Sequence, residues 1–472
     1  MNKTIITYSR FSIIANAICR MLLCLSLICG LGSCKKYLDV KPDKKMVLPS
    51  TLADCQALLD NYIIMGISYP VGEPSADNYY LTFANWNTQS IVYRDGYIWN
   101  ADADVPTFQW SATYQKVLYA NQVLETLGKI TPTIDEQATW SQIKGAALFF
   151  RSFSFYQAAQ IWAKPFDSAT SGTDLCIPLR LSPDISEKSE RATVKQTYDR
   201  ILEDLNEAVT LLPATRPTSI ITKARPGQAA AHALLARVYL SMRDYPNAFT
   251  HADKCLQNYN TLIDFNTLNV NAFLPIAKYN SEVIFSAVSS ATPTLNPFVA
   301  KVDSNLYKSY EDDDLRQVIF FRQNSGVDIN TYQFRGSYDG SLSYTLFCGL
   351  ATDEMYLVRA ECYARAGNTS SAITDLNTLI RTRWATKKYT DMTATSAVDA
   401  LTKILVERRK ELLYRGLRWT DLRRLNKDPR FAVSLTRVLN GVTYTLPPND
   451  SRYVLLIPQE VLKREVMPQN PR

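Results

Sequence analysis

The sequence predicts a mainly α fold: a tetratricopeptide-like scaffold of helical hairpins carrying long aromatic-rich loops and a few short strands. Two observations predict the hairpins. Residues 227–256 hold two amphipathic runs joined by a tight turn, and residues 353–383 repeat the same order. A third predicts the loops: residues 66–104 and 259–350 lose helical period and fill with rings.

In the first hairpin Ala231, Leu234, Leu235, Val238 and Tyr239 share one helix face at i, i+3, i+4, i+7 and i+8. Arg243-Asp244-Tyr245-Pro246 breaks the run, and proline suits the first turn of the helix that follows. Ala248, Ala252, Cys255 and Leu256 then resume the apolar period. Ala236 and Ala248 let two backbones approach, while Tyr239 and Tyr245 fill the space beside them. In the second hairpin Ala360, Tyr363, Gly367 and Ala372 keep the small–Tyr–turn–small order, again with twelve positions between the alanines. Weaker echoes lie at 110–127 with 142–162, and at 197–212. One hairpin cannot bury its own apolar face, so the copies must stack. They are not in tandem, which implies a scaffold with elaborate loops: helical repeats at about 110–163, 193–258 and 353–425, and irregular, ring-rich insertions at about 66–104 and 259–350.

The amino terminus reads differently. Lys3, Arg10 and Arg20 precede an apolar run of eleven at 21–31, too short to span a bilayer and suited to a signal-peptide core. Leu31-Gly32-Ser33-Cys34 follows and resembles a bacterial lipobox, so residues 1–33 are expected to be a signal peptide and Cys34 the lipidation site. Residues 34–50, with Pro42, Pro49 and several lysines, read as a tether, and 51–472 as a single domain. Net charge is +7; without the three leader positives the body sits near +4, with no basic run suited to nucleic acid. Of nine cysteines, Cys55, Cys176, Cys255, Cys348 and Cys362 remain beyond the leader and Cys34. They are widely spaced, with no CxxC, so neither a zinc site nor a disulfide framework is readable.

Within the body, 51–64 reads as an amphipathic helix, and 454–457 as a short strand before a proline-rich tail. Residues 407–426 read ERRKELLYRGLRWTDLRRLN, with acids and arginines interleaved at i, i+3 and i+4 as in a salt-bridged helix face. This run, at Glu407, Arg408, Glu411, Leu412, Gly416, Arg418, Trp419, Asp421, Leu422 and Arg424, resembles the SusD/RagB family of outer-membrane nutrient-binding lipoproteins. Further marks fall in the family's order: CKKYLDVKP from Cys34, then Trp110, Tyr114 and Asn121, then 353–367, Ile457-Pro458, and Gln469-Asn470-Pro471. Departures are Gly145-Ala146-Ala147 where Gly-Glu-Ala is common, and a terminal Arg472 in place of Gly-Tyr.

The resemblance implies one helical domain seated on a SusC-like, TonB-dependent transporter, to which it delivers oligosaccharide, or in some members peptide, at the cell surface. It places ligand contacts in the two insertions, where Asp77, Trp86, Trp99, Tyr332 and Arg335 are the residues suited to them. Sugar C–H faces stack on rings, and hydroxyls hydrogen-bond to Asp and Arg. No cofactor or metal is expected. Asn100, Asp102 and Asp104 imitate a calcium loop, but Val105 and Ser111 stand where its Gly and Glu belong. Asp312–Asp314 reads as a solvated loop. Catalysis has little support: His232 and His251 are the only histidines, and no GxSxG, Walker loop or HExxH occurs. A carboxylate pair brought together from two loops leaves a lipid-anchored glycan-active enzyme as the alternative.

Overall fold

The computed structural model describes residues 49–68, 72–215, 223–341 and 345–472. The expected signal peptide, Cys34, most of the tether, Tyr69 and Tyr344 lie outside these residues.

Thr51 starts the first helix: its hydroxyl accepts from the Asp54 N–H, while the Asp54 carboxylate accepts from the Thr51 N–H. Helix α1 (Leu52–Leu59) packs on α2 (Thr107–Leu127) and α3 (Gln137–Trp162). From Gly145 to Trp162 every residue of α3 is buried. A helix buried on all sides belongs in the middle of a body, and α3 lies between α2 and α4 (Val194–Leu211). Phe149, Phe153 and Phe285 meet there with ring centroids 4.7 to 6.1 Å apart.

The strongest hairpin is α5 (Gln228–Met242) on α6 (Tyr245–Asn258). Arg243 turns the chain at φ 64°, and the Asp244 carboxylate accepts from the Asn247 N–H to start α6. Ala236 and Ala248 are fully buried, as a close helix approach requires. Helix α6 packs on α7 (Thr352–Arg365), which packs on α8 (Thr369–Arg381) and α9 (Ala397–Glu411). The Arg418–Leu425 helix, α10, follows.

His232 and His251 face each other across the α5–α6 hairpin, Nδ1 to Nδ1 at 3.0 Å, with Tyr239 stacked on His251. Burial, with Lys254 nearby, pulls both down to about 4, and His232 adds to the shift at His251. Both folded values lie below the unfolded value, so as pH falls from 6.5 toward 4 the unfolded chain binds protons that the native hairpin refuses. Stability is expected to drop by about 1–2 kcal/mol over that window after solvent screening. Thermal midpoints between neutral pH and the lower end of that window should fall more steeply for the native protein than for His251→Gln.

The 407–424 run is salt-bridged as expected, through Arg408–Asp421 and Arg424–Asp421, and it lies in the interior: Glu407, Arg408, Glu411, Asp421, Arg423 and Arg424 are all buried. Two other expectations need correction. Asp314 is not in a solvated loop; it is buried against Arg316 at 2.7 Å. Residues 454–457 form no strand, because the Leu455 N–H goes to Ile161 O at the end of α3 instead. In addition, Leu435–Leu439 and Val442–Leu446 make an antiparallel hairpin around Asn440-Gly441, both at positive φ. The five described cysteines are free and buried.

The buried charges answer one another. Arg316 reaches Asp314, Glu407 and Glu411; Arg383 reaches Glu282 and Glu411; Arg415 reaches Asp353. Glu282, Asp353 and Glu411 approach within 4.8 Å of one another, and the guanidinium groups between them supply the counter-charge.

Candidate ligand-binding face

Short ladders stitch the two insertions together. Tyr79–Tyr80 pairs antiparallel with Lys301–Val302, and Ile67–Ser68 pairs in parallel with Val288–Ser289. The Asp303 N–H donates to Asn78 O, and Asn85 Nδ2 donates to Val299 O. Beneath them Tyr79, Leu81, Tyr97, Phe265, Phe320 and Tyr338 belong to a second apolar core, against which Trp86 and Tyr332 both pack.

Thr82 caps the Phe83–Asn87 helix by accepting from the Asn85 N–H, which sets Phe83 and Trp86 three apart on one side. Trp86 is half-buried: Nε1 donates to Arg94 O at 3.1 Å, and the Arg94 guanidinium lies 5.3 Å from its ring centre. Phe83, 44% exposed, sits 5.8 Å from it. Tyr332 lies in the Tyr332–Phe334 strand, paired with Phe321–Gln323, and stacks on Tyr307 at 3.5 Å. Burial, then the neighbouring Tyr332, pushes the Tyr307 phenol up.

The segments that carry these rings are tied to one another. The Phe83–Asn87 helix is tied to Val299 through Asn85. Beside Val299, Phe298 is 59% exposed. Lys301 Nζ, itself buried, donates to Phe298 O and to Asp328 Oδ2, at 3.4 and 2.7 Å, joining that segment to the turn before Tyr332.

Asp77, Trp99 and Arg335 stand differently. Asp77 binds Arg418 through both oxygens, at 2.7 and 2.8 Å, with Arg409 at 3.2 Å. Burial alone would raise its pKa, but Arg418 and Arg409 hold the carboxyl well below the usual range. Trp99 is 4% exposed, donates Nε1 to Ser75 O, and packs with Trp419. The Arg335 guanidinium is held by Val270 O, Ala272 O and Val318 O. Trp86 and Tyr332 both pack against the second core, while Asp77, Trp99 and Arg335 are engaged in internal contacts. Among the described residues no tryptophan is exposed; Trp86, Trp140 and Trp384 are half-buried. Phe83, Phe298, Tyr307 and the Lys301–Asp328 pair join the face beyond the residues expected there. For Phe83, its i, i+3 spacing to Trp86 was the available signal.

A family model described as starch-binding associating with outer membrane matches residues 36–240, and one described as the SusD family matches residues 350–464. The chain belongs to the SusD/RagB family. Among its relatives is SusD-like protein P2 of Formosa agariphila, 22% identical over 374 residues, or 67% of this chain and 71% of the relative. A SusD superfamily structure from Bacteroides thetaiotaomicron superposes with a TM-score of 0.72 at 20% identity, covering 89% of this chain and 100% of that one. Surface glycan-binding protein A from Bacteroides fluxus gives 0.68 at 17%, covering 90% and 100%. The SusD fold of stacked helical hairpins with few strands is therefore common to all three structures. No described helix is long and apolar enough to cross a membrane.

Proposed function

We propose that this SusD-family chain is a cell-surface lipoprotein, anchored to the outer membrane through Cys34. It captures oligosaccharide on the Trp86–Tyr332 face and passes it to a SusC-like, TonB-dependent transporter. Residues 1–33 are its signal peptide, 34–50 its tether, and 51–472 the binding body. The observation that carries the ligand class is the run of rings from Phe83 and Trp86 through Phe298 to Tyr332, held between ladders that fix both insertions. The starch-binding description of the matching family and the glycan-binding relative support it. Asp77, Trp99 and Arg335 serve internal packing, through Arg418 and Arg409, through Ser75 and Trp419, and through the carbonyls of Val270, Ala272 and Val318. We read the face as one that binds rather than cleaves; hydrolysis of a bound oligosaccharide by the purified protein would overturn that reading.

One ring covering roughly 80 Å² of sugar contributes about 2 kcal/mol. Two or three such contacts, less ordering costs, give micromolar to millimolar affinity, which suits reversible delivery. Calorimetric titration with malto- and laminari-oligosaccharides tests this. Trp86→Ala and Tyr332→Ala should each weaken binding about tenfold, or ~1.4 kcal/mol, when titrated well below the thermal midpoint, which the lost packing on the second core will lower. Unchanged affinity in both variants sinks the assignment of this face, and binding of peptides alone sinks the ligand class.

A further inference from the structure

Residues 324–331 form a tip between the Phe321–Gln323 and Tyr332–Phe334 strands. Two left-handed positions, Gly326 at φ 65° and Asn330 at φ 71°, help reverse the chain there. The tip is built from its own bonds. The Asn324 N–H donates to Thr331 O, the Thr331 N–H and hydroxyl donate to Asp328 O, and Asn324 Nδ2 donates to Thr331 Oγ1. Apolar packing adds little: from Ser325 to Asn330 every residue is exposed except half-buried Asp328, and Val327 is fully so. Among the described residues, a single hydrogen-bonded contact leaves the 321–334 hairpin from this tip. It joins Asp328 Oδ2 to Lys301 Nζ at 2.7 Å.

Lysine is almost never fully buried, yet the Lys301 side chain is 1% exposed. Its backbone pairs with Tyr80 of the first insertion, and its ammonium also donates to Phe298 O at 3.4 Å. One residue thus meets the ladder of the first insertion, the Phe298 segment and the tip. Among the described residues Asp328 is the one carboxylate within salt-bridge distance of it. An apolar side chain of similar size would be about as stable here, because desolvation offsets much of the attraction in a buried ion pair. The pair contributes a fixed arrangement instead, since a buried ammonium must keep its acid close. Tyr332, stacked on Tyr307, is the first strand residue after the tip.

We propose that Lys301 is a positioning residue of the oligosaccharide face, latching the 324–331 tip beside Phe298 so that the Tyr332 side is ordered before ligand arrives. Its effect on affinity rests on the oligosaccharide reading of that face; the latch itself does not.

The test uses the full mature chain. Nitroxide labels at Val327→Cys and at Val406→Cys, on the exposed side of α9, report the distance from tip to scaffold, and the five described native cysteines are buried. Without ligand, Lys301→Met should widen that distance distribution about twofold. On the unlabelled chain the same change should weaken oligosaccharide binding about fivefold, the cost of ordering a freed tip on binding. Its thermal midpoint should stay at or above that of wild type, because methionine fills the site without a charge and Asp328 can turn to water. Lys301→Met/Asp328→Asn strands no charge and should match the single variant in both measurements. An unwidened distribution, unchanged affinity, or recovery of wild-type behaviour in the double variant overturns the proposal. Wild-type protein that binds no oligosaccharide, with the distribution still widened by Lys301→Met, sinks the ligand reading and leaves the latch standing.

Discussion

Arg383→Ala is expected to destabilise the protein by roughly 3–5 kcal/mol, the range for removing one partner of a buried ion pair. Arg383 is fully buried and donates to Glu411 Oε1 at 2.8 Å, to both Glu282 oxygens at 2.8 and 3.0 Å, and to Ile263 O at 2.8 Å. Without it, the Glu282 carboxylate keeps only the Tyr338 hydroxyl and the Ile263 N–H, and Glu411 keeps Arg316. Burial already raises Glu282 and Asp353, so protonation is the cheapest relief for the stranded carboxylates. A raised folded pKa stabilises below the unfolded value and loses that contribution as pH rises through the folded one. The variant should therefore be closer to wild type in mild acid than in mild base. Urea unfolding under both conditions checks this, and a loss under about 1 kcal/mol in mild base would remove the network from any account of stability.

Gly349→Ala is the second large effect, expected to cost at least about 3 kcal/mol. A Cβ at Gly349 would lie 2.0 Å from Phe285 O and 2.8 Å from Ala287 N, both backbone atoms that no rotamer change can move. The same glycine's carbonyl accepts from Arg237, which pairs with Glu354, so displacing the chain also loosens a buried ion pair. Leu350–Ala351 pairs with Val283–Phe285, and opening that ladder would separate the second insertion from α7. Gly367→Ala, where nothing lies within 4 Å, serves as the control: it carries only the strain of φ +83°. Comparable thermal midpoints for the two variants would contradict the steric account.

The scaffold was legible because its helices keep a 3.6-residue period over several turns, as in α5, α6 and α7. The stitches were not. Tyr79–Tyr80 and Lys301–Val302 are two residues each, too short for any period to register. The Asn440-Gly441 hairpin did carry a local signal, an Asn-Gly pair between alternating apolar residues. The charged run at 407–424 read as a salt-bridged helix face, but its burial was not legible, because its partners Arg316, Glu361 and Arg383 come from distant segments. Charge pattern alone cannot tell a wet face from a dry network when many of the pairs are non-local. Of the residues the sequence named for the candidate face, Trp86 and Tyr332 are half-buried rings packed on the second core. Which rings would be consumed by packing, as Trp99 is by Trp419, depended on contacts no spacing encodes.

The ladders that join the insertions also fix when the binding surface can come into being. Asn85 and Val299 are 214 positions apart, so their bond closes a loop spanning nearly half the chain. Such closures carry a heavy entropic penalty until the intervening hairpins have condensed. The ring-lined surface is thus expected to assemble after the helical hairpins that support it.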